Sequence, residues 1–306
     1  MILRPWMQNK FLLRLTSKGR GVLKFVKMLE NWAMQCIVIR SAATEDAPTK
    51  TRQRLLEALV KPGGQTAIPL DEVQGEVMNL LVAGTETVSV TVSYALTLLA
   101  LHPEWQDAAH QELKDVFGEG DDYLRAPSLA DLGRLRVLES IIKCIFTLLW
   151  YDLQETLRLF PTVPILPRVA TEDLWLSGGS PGSVLVPKGA LLFVMPFLTH
   201  RLPQFFPEPH LFDPSRFLEH RVGEQHTCSY LPFGLGARNC VGSQYGRLQL
   251  KVYLADILRR FRFLPCSRRE DLENSALSLS LSPIKPIRVS CIPLGGSSTQ
   301  DHSQHC

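Results

Sequence analysis

The residue whose surroundings best define a chemistry is Cys240, in the run Leu231-Pro-Phe-Gly-Leu-Gly-Ala-Arg-Asn-Cys-Val-Gly. Two glycines before the cysteine and Gly242 after it permit a tight loop whose backbone can approach a flat ligand. A helix is predicted to begin directly after this loop, and the dipole and free N–H groups at a helix N-terminus favour a thiolate. A lone thiolate in this position suits one axial bond to a metal that a macrocycle already holds.

Two other side chains of the loop fit the same ligand. Arg238 precedes the cysteine by two residues and can offer a cation to a carboxylate of the ligand, while Phe233 can shield the sulfur from water. The structural alternative is a buried cysteine in a glycine-rich turn, which would be preferred for an isolated Cys-x-Gly.

The order Phe233-x-x-Gly236-x-Arg238-x-Cys240-x-Gly242 resembles the haem-binding loop of the cytochrome P-450 monooxygenases. The resemblance implies haem b (iron protoporphyrin IX) as the cofactor, Cys240 as the axial ligand of its iron, and the other four residues as cofactor contacts. It also implies an oxidoreductase that inserts one oxygen atom of O2 into an apolar small molecule. This is the leading functional hypothesis.

A second segment, Glu155-Thr-Leu-Arg158, resembles the Glu-x-x-Arg helix of the same family. Its two charged residues lie one helical turn apart and can form an ion-pair network with Arg216 of Phe212-Asp-Pro-Ser-Arg-Phe. The resemblance implies a structural role, in which this triad holds the proline-rich segment Pro203–Phe217 under the haem loop. Alone, Glu-x-x-Arg has no specificity, because any charged helix face supplies it.

A third segment, Ala83-Gly-Thr-Glu-Thr, resembles the oxygen-binding part of the family's long central helix. The resemblance implies that Thr87 donates a hydrogen bond to dioxygen and that Glu86 relays protons, which makes both residues catalytic. The structural alternative is a threonine that bonds back to its own helix in the core.

Arg168 follows Pro164-Ile-Leu-Pro and lies where family members place a contact to a haem propionate, with Val163–Pro167 lining the substrate cavity. A solvated arginine is the alternative at this position. His200, in the pair His-Arg, also matches a family pattern and is interpreted as structural.

The fold class expected is mainly α with a smaller β portion, a cytochrome P-450 fold lacking its N-terminal part. One domain is expected over residues 1–295, followed by a disordered tail over 296–306. The periodicity predicts helices within 1–60, from Leu70 to about Leu101, and over Glu104–Phe117, Leu129–Leu159 and Gly242–Arg260. It predicts hairpins in the region 165–196, with short β-rich runs at Ser183–Val186 and Ala190–Met195, and two strands within Ser275–Pro293.

Composition excludes several classes of protein. With 306 residues, 45% apolar content and a net charge of +3, the chain is neither disordered nor multi-spanning, and nucleic acid is not an expected partner. Val77–Leu101 is long enough to span a bilayer, but Glu86 in its middle favours a core helix.

Pro5-Trp6, the run from Arg14 to Arg20 and the Phe-Pro-Glu-Pro meander resemble the microsomal family-four branch. This branch implies fatty-acid hydroxylation and lipid metabolism, electrons from NADPH-cytochrome P-450 reductase, and a location on the cytosolic face of the endoplasmic reticulum membrane. No anchor is recognised in this chain, so a peripheral or cytosolic location is the alternative. Ala83 stands where the branch often has a glutamate that bonds covalently to haem, so fatty acid is only the leading substrate.

Two features depart from the family pattern. The resemblance covers residues 5 to 293 but only the later part of the family fold, which suggests a truncated isoform or an incomplete gene model. In addition, Cys144–Gln154 separates two segments that family members join directly. These residues add about three helical turns, so a continuous helix would keep its face. A retained piece of intron is the favoured origin, and a genuine insertion is the alternative.

Two other functional classes remain open. The first is a non-catalytic remnant of the fold that acts as an interaction module. The second is a cysteine hydrolase using Cys240, which is poorly supported because no histidine lies in a convincing partner segment.

Overall fold

The computed structural model describes residues 14–41, 59, 66, 68–118, 124, 147–179, 182–217, 226, 228–277 and 280–294. Contacts between residues group the chain into two units, residues 1–85 and 86–306, and the long central helix belongs to both. The predicted tail 296–306 and the first part of the predicted helix, residues 129–146, lie outside the described residues.

The described helices are α1 (Ser17–Ser41), α2 (Leu70–Leu101), α3 (Pro103–Phe117), α4 (Thr147–Leu159), α5 (Pro196–Thr199), α6 (Ser243–Arg260) and α7 (Arg269–Glu273). The strands are β1 (Leu166–Val169), β2 (Leu174–Gly179), β3 (Gly182–Val186), β4 (Leu191–Val194), β5 (Phe261–Pro265), β6 (Ser275–Leu277), β7 (Leu281–Pro283) and β8 (Val289–Pro293). The expected class, mainly helix with a smaller strand portion, is confirmed.

The first unit contains α1 and the first half of α2. Thr16 caps α1, since its hydroxyl accepts a hydrogen bond from the Gly19 N–H at 2.9 Å. Ile37 of α1 and Val73 of α2 are buried together in a small apolar cluster. The amide of Gln74 donates to the carbonyl of Glu30 at 3.0 Å, which ties the two helices further.

The second unit is built on the packing of α3, α4 and α6 around the last turns of α2. Leu99, Leu113, Leu153 and Leu254, one from each helix, are fully buried in this core. A second cluster joins α2 to the end of α4. There the Tyr94 and Phe160 rings stack with their centroids 4.5 Å apart.

By length and composition α2 could cross a membrane, and it alone among the helices of the described ranges meets that test. The burial of Tyr94, Leu98 and Leu99 agrees with the predicted core helix for its second half.

The predicted runs Ser183–Val186 and Ala190–Met195 correspond to β3 and β4, and both strands lie in antiparallel pairs. β2 pairs with β3, and β1 pairs with β4, so that one antiparallel ribbon is nested inside the other in the chain order. The turn at Pro187 explains this pairing. The Ala190 N–H donates back to the Pro187 carbonyl, while the Ala170 N–H donates to the Ala190 carbonyl and draws β4 toward β1. The sequence pattern missed β1 and β2 because proline, glycine and charged residues interrupt them.

The C-terminal region has three strands where two were predicted. β6 pairs with β7, whereas β8 pairs with β5, a strand that begins directly after α6 and that the sequence pattern did not predict. Pro283 and Pro286 cannot donate backbone hydrogen bonds, and they separate β7 from β8.

Candidate cofactor-binding site

Cys240 lies in a tight loop held by its own backbone. The Cys240 N–H donates to the Phe233 carbonyl at 2.8 Å, and the Gly234 N–H donates to the Leu231 carbonyl at 3.2 Å. Gly234 has φ +73° and Gly236 has φ +81°, values that a side chain disfavours. The glycines are therefore required by the backbone of this loop.

The sulfur of Cys240 is a free, exposed thiol at the start of α6. Gly242 is the N-cap of that helix, and a Cβ added there would lie 4.0 Å from the sulfur. The Ser243 N–H donates to the Cys240 carbonyl at 3.3 Å, which fixes the cysteine just ahead of the helix. The thiol is therefore accessible and lies two residues before the N-cap of α6.

The half-buried ring of Phe233 lies beside the loop, below the guanidinium of Arg247 in the first turns of α6. The guanidinium carbon is 4.9 Å from the ring centroid, a cation–π contact. Phe233 thus closes the loop through its carbonyl and joins the loop to α6 through its ring.

Arg168 is brought to the same loop from β1. Its Nη2 is 3.5 Å from the carbonyl of Arg238, and its Nη1 donates to the Pro167 carbonyl at 2.8 Å. The Leu166 side chain would lie 3.7 Å from a Cβ at Gly234, so β1 packs directly against the loop. The guanidinium of Arg168 thus meets the loop at Arg238, two residues before the exposed thiol, and two arginines at one loop suit an anionic ligand.

The predicted triad forms a buried ion-pair cluster. The guanidinium of Arg158 binds both carboxylate oxygens of Glu155, with Nε–Oε2 at 2.6 Å and Nη2–Oε1 at 2.7 Å. Both side chains are fully buried. Arg216 completes the cluster, with its Nε 3.6 Å from Glu155 Oε1.

The remaining donors of the two arginines hold the proline-rich segment 203–217. Arg158 donates to the carbonyls of Pro209 and Leu211, at 2.8 and 3.1 Å, and Arg216 donates to those of Pro207 and Glu208, at 2.5 and 3.0 Å. Through the carbonyls of Pro209 and Leu211, Arg158 fastens the segment 203–217 to α4 with charge-assisted hydrogen bonds.

His200 connects the triad to the cysteine loop. Its carbonyl accepts from Arg158 Nη1 at 2.9 Å, and its Nε2 accepts from the N–H of Leu231, the first residue of the loop, at 2.7 Å. Burial lowers the pKa of His200 to about 3, so the ring is neutral and Nε2 can serve as an acceptor. The structural interpretation of His200 agrees with these contacts.

Glu86 and Thr87 lie in a different hydrogen-bonded group, in the second half of α2. The Ser280 hydroxyl, between β6 and β7, donates to Glu86 Oε1 at 2.7 Å. The carbonyl of Thr87 accepts from the hydroxyl of Thr91 at 2.8 Å, and that hydroxyl is 2.8 Å from the hydroxyl of Thr162. Thr91 therefore bonds back to its own helix, as the structural alternative describes for a core threonine.

Sequence reasoning missed Ser280, Thr91 and Thr162. Ser280 is 194 residues from Glu86, and Thr162 is 71 residues from Thr91, so no local spacing relates them. The only available signal was the β-strand pattern on either side of Ser280, which places a turn there.

The family model described as Cytochrome P450 matches residues 3–291. Among curated relatives, Cytochrome P450 4c3 of Drosophila melanogaster is 29% identical over 94% of this chain and 54% of its own length. Cytochrome P450 4c21 of Blattella germanica is 32% identical, with 93% and 55% covered. Human Cytochrome P450 4V2 is 31% identical, with 88% and 50% covered.

A solved structure, "Crystal structure of a Cytochrome P450 (CYP102L1)", has the same fold. It superposes with a TM-score of 0.72 at 20% identity, over 91% of this chain and 58% of that one. The chain thus spans about half the length of the curated relatives it matches.

The cofactor that this family and fold imply is haem b. The donor set described above fits it: one exposed thiol for an iron, a glycine loop for a flat ring, and two neighbouring arginines for propionates. A single thiolate ligand is also the set expected for a metal whose other ligands come from a macrocycle.

Proposed function

Since this chain belongs to the cytochrome P450 family, we propose that it is a haem-thiolate monooxygenase acting on a fatty acid or a similar apolar lipid. The observation that supports this best is the exposed Cys240 thiol in its glycine loop ahead of α6. The lipid is chosen because Pro5-Trp6, the run from Arg14 to Arg20 and the Phe-Pro-Glu-Pro meander resemble the family-four branch.

Each candidate residue has a role in this proposal. Cys240 would hold the haem iron through its thiolate, and Arg168 and Arg238 would bind the carboxylates at the edge of the ring. When bound, haem supplies the chemistry that activates dioxygen. Thr87 would orient dioxygen by a hydrogen bond, and Glu86 would hold the proton that the reaction consumes.

Electrons would come from NADPH-cytochrome P-450 reductase, and the chain would work at the cytosolic face of the endoplasmic reticulum membrane. The proposal also includes one catalytic domain over residues 1–295, with Cys144–Gln154 as an insertion in it. Within the insertion, residues 147–154 are helical and continue directly into Glu155, as the three-turn spacing predicts.

The test is turnover of the whole chain. We expect protein supplied with haemin, the reductase, NADPH and lauric acid to form a hydroxylated acid, and the Thr87→Ala variant to consume NADPH with less product. Protein that binds haemin without forming product would contradict the activity. Protein that binds no haemin would favour the alternative, a non-catalytic remnant that acts as an interaction module.

A further inference from the structure

Ser280 is a buried hydroxyl in direct contact with the proposed proton carrier. It lies just before β7, its side chain belongs to a residue that is 1% exposed, and its Oγ donates to Glu86 Oε1 at 2.7 Å. A buried hydroxyl bound to a carboxylate both fixes the position of that carboxylate and can exchange a proton with it.

A second hydroxyl continues the contact away from α2. The Oγ of Ser282 is 3.2 Å from the Oγ of Ser280, and either oxygen can be the donor. Glu86, Ser280 and Ser282 therefore form a row of three groups that can each hold and release a proton.

The far end of the row reaches solvent. Ser282 lines an open cavity of about 300 Å³, together with Ser89, Tyr94 and Lys285. Polar groups at its wall can keep water in contact with the Ser282 hydroxyl. The hairpin β6–β7 thus joins an open cavity to a carboxylate in the middle of α2.

The hairpin is fixed against α2 by an independent contact. The Leu281 N–H donates to the carbonyl of Thr162 at 2.9 Å, and the Thr162 hydroxyl is 2.8 Å from that of Thr91 in α2. The hydrogen bond from Leu281 to Thr162 and the one from Ser280 to Glu86 together fix the position of Ser280 relative to the helix.

We propose that Ser282 and Ser280 form a proton-entry path from the cavity to Glu86. In each passage the Ser280 hydroxyl gives its proton to Glu86 Oε1, takes the proton of Ser282, and Ser282 takes one from water. One proton leaves solvent and one reaches the carboxylate, with no change of oxidation state. This inference rests on the proposed function, because it supplies the protons that the monooxygenase reaction consumes.

The test compares Ser280→Ala and Ser282→Ala with Ser93→Ala, since Ser93 faces the same cavity but its hydroxyl bonds only to the Ser89 carbonyl of its own helix. In the haemin-loaded chain, both path variants should lower product formed per NADPH consumed by about tenfold and alter the solvent deuterium isotope effect on turnover. Ser280→Thr keeps a hydroxyl and should restore both values, whereas Ser93→Ala should match the unaltered protein.

A second readout needs no haem. In carboxyl-carbon NMR of glutamate-labelled protein, the resonance assigned to Glu86 through Glu86→Gln should move in Ser280→Ala and stay in place in Ser93→Ala. A stationary resonance would overturn the contact. A resonance that moves, together with an unchanged product yield per NADPH and an unchanged isotope effect, would overturn the path but leave the contact in place. If the unaltered chain has no turnover, the proposed function fails first, and the path fails with it.

Discussion

Replacing Asp152 by isoleucine is expected to raise the free energy of unfolding by about 3 kcal/mol at neutral pH, since an unpaired buried carboxyl costs several kcal/mol. Asp152 is 1% exposed in α4, and no group of the described residues forms a hydrogen bond with either of its carboxyl oxygens. Burial, with the nearby charges of Glu112 and Glu155, raises the pKa of Asp152 well above its ordinary value. Urea denaturation at several pH values measures the change.

The pH dependence separates this cause from simple packing. The folded state keeps a proton on Asp152 that the unfolded state loses above about pH 4, so stability falls as pH rises from there toward the raised pKa. Asp152→Asn keeps the shape and removes the titration, so its loss of stability over that range should be smaller. An Asp152→Ile protein no more stable than the original at neutral pH would contradict the account.

The same position explains the expected effect of deleting Cys144–Gln154. In the deleted chain Ile141, Ile142 and Lys143 would directly precede Glu155, so that Ile141 takes the place of Asp152 in the helix. Ile142 would replace the fully buried Leu153, and Lys143 the partly exposed Gln154. The deletion should therefore improve soluble yield and haem retention, and an unchanged or poorer protein would count against an insertion.

Replacing Glu155 by alanine is expected to cost about 3–5 kcal/mol of stability, because it leaves buried charges without their partner. Arg158 and Arg216 both depend on this carboxylate, and the backbone N–H of Asp213 also donates to it at 2.9 Å. The loss should loosen the segment 203–217 and the cysteine loop that His200 connects to it. Thermal and urea unfolding measure the stability, and hydrogen exchange of the segment measures the loosening.

A matched surface pair provides the control. Arg269 and Glu273 lie one turn apart in α7, with a nitrogen–oxygen distance of 3.0 Å, and their side chains are 24% and 50% exposed. Glu273→Ala should change stability by less than about 1 kcal/mol, since solvent screens an exposed pair. Equal losses of stability in the two variants would show that burial does not increase the contribution of the triad to stability.

Features that depend on residues close together in the chain could be predicted from the sequence, whereas features that depend on distant residues could not. The cysteine loop and the pair Glu155–Arg158 are local patterns, and their backbone and ion-pair geometry follow from a few neighbouring residues. The long helix α2 was predictable from a continuous apolar run. The nested pairing of β1 with β4 was not, because it depends on contacts between separate strands that proline and glycine interrupt.

The other feature that the sequence did not reveal was which residue of a helix faces the protein core. The segment 144–154 is mostly apolar, and its length predicts that the face of the helix is kept. That prediction does not show which residue of the segment meets the core. Only the packing of α4 against α3 places Asp152, the segment's acidic residue, near Glu112.

The central claim is that the thiolate of Cys240 binds the iron of haem. The most direct measurement is the absorbance spectrum of the reduced carbon monoxide complex of the haemin-loaded chain, compared with that of Cys240→Ser. The account predicts the band characteristic of thiolate ligation in the unaltered chain and its loss in the serine variant, while the exposed Cys228→Ser retains it. An identical spectrum in Cys240→Ser, or no such band in the unaltered chain, would contradict the account.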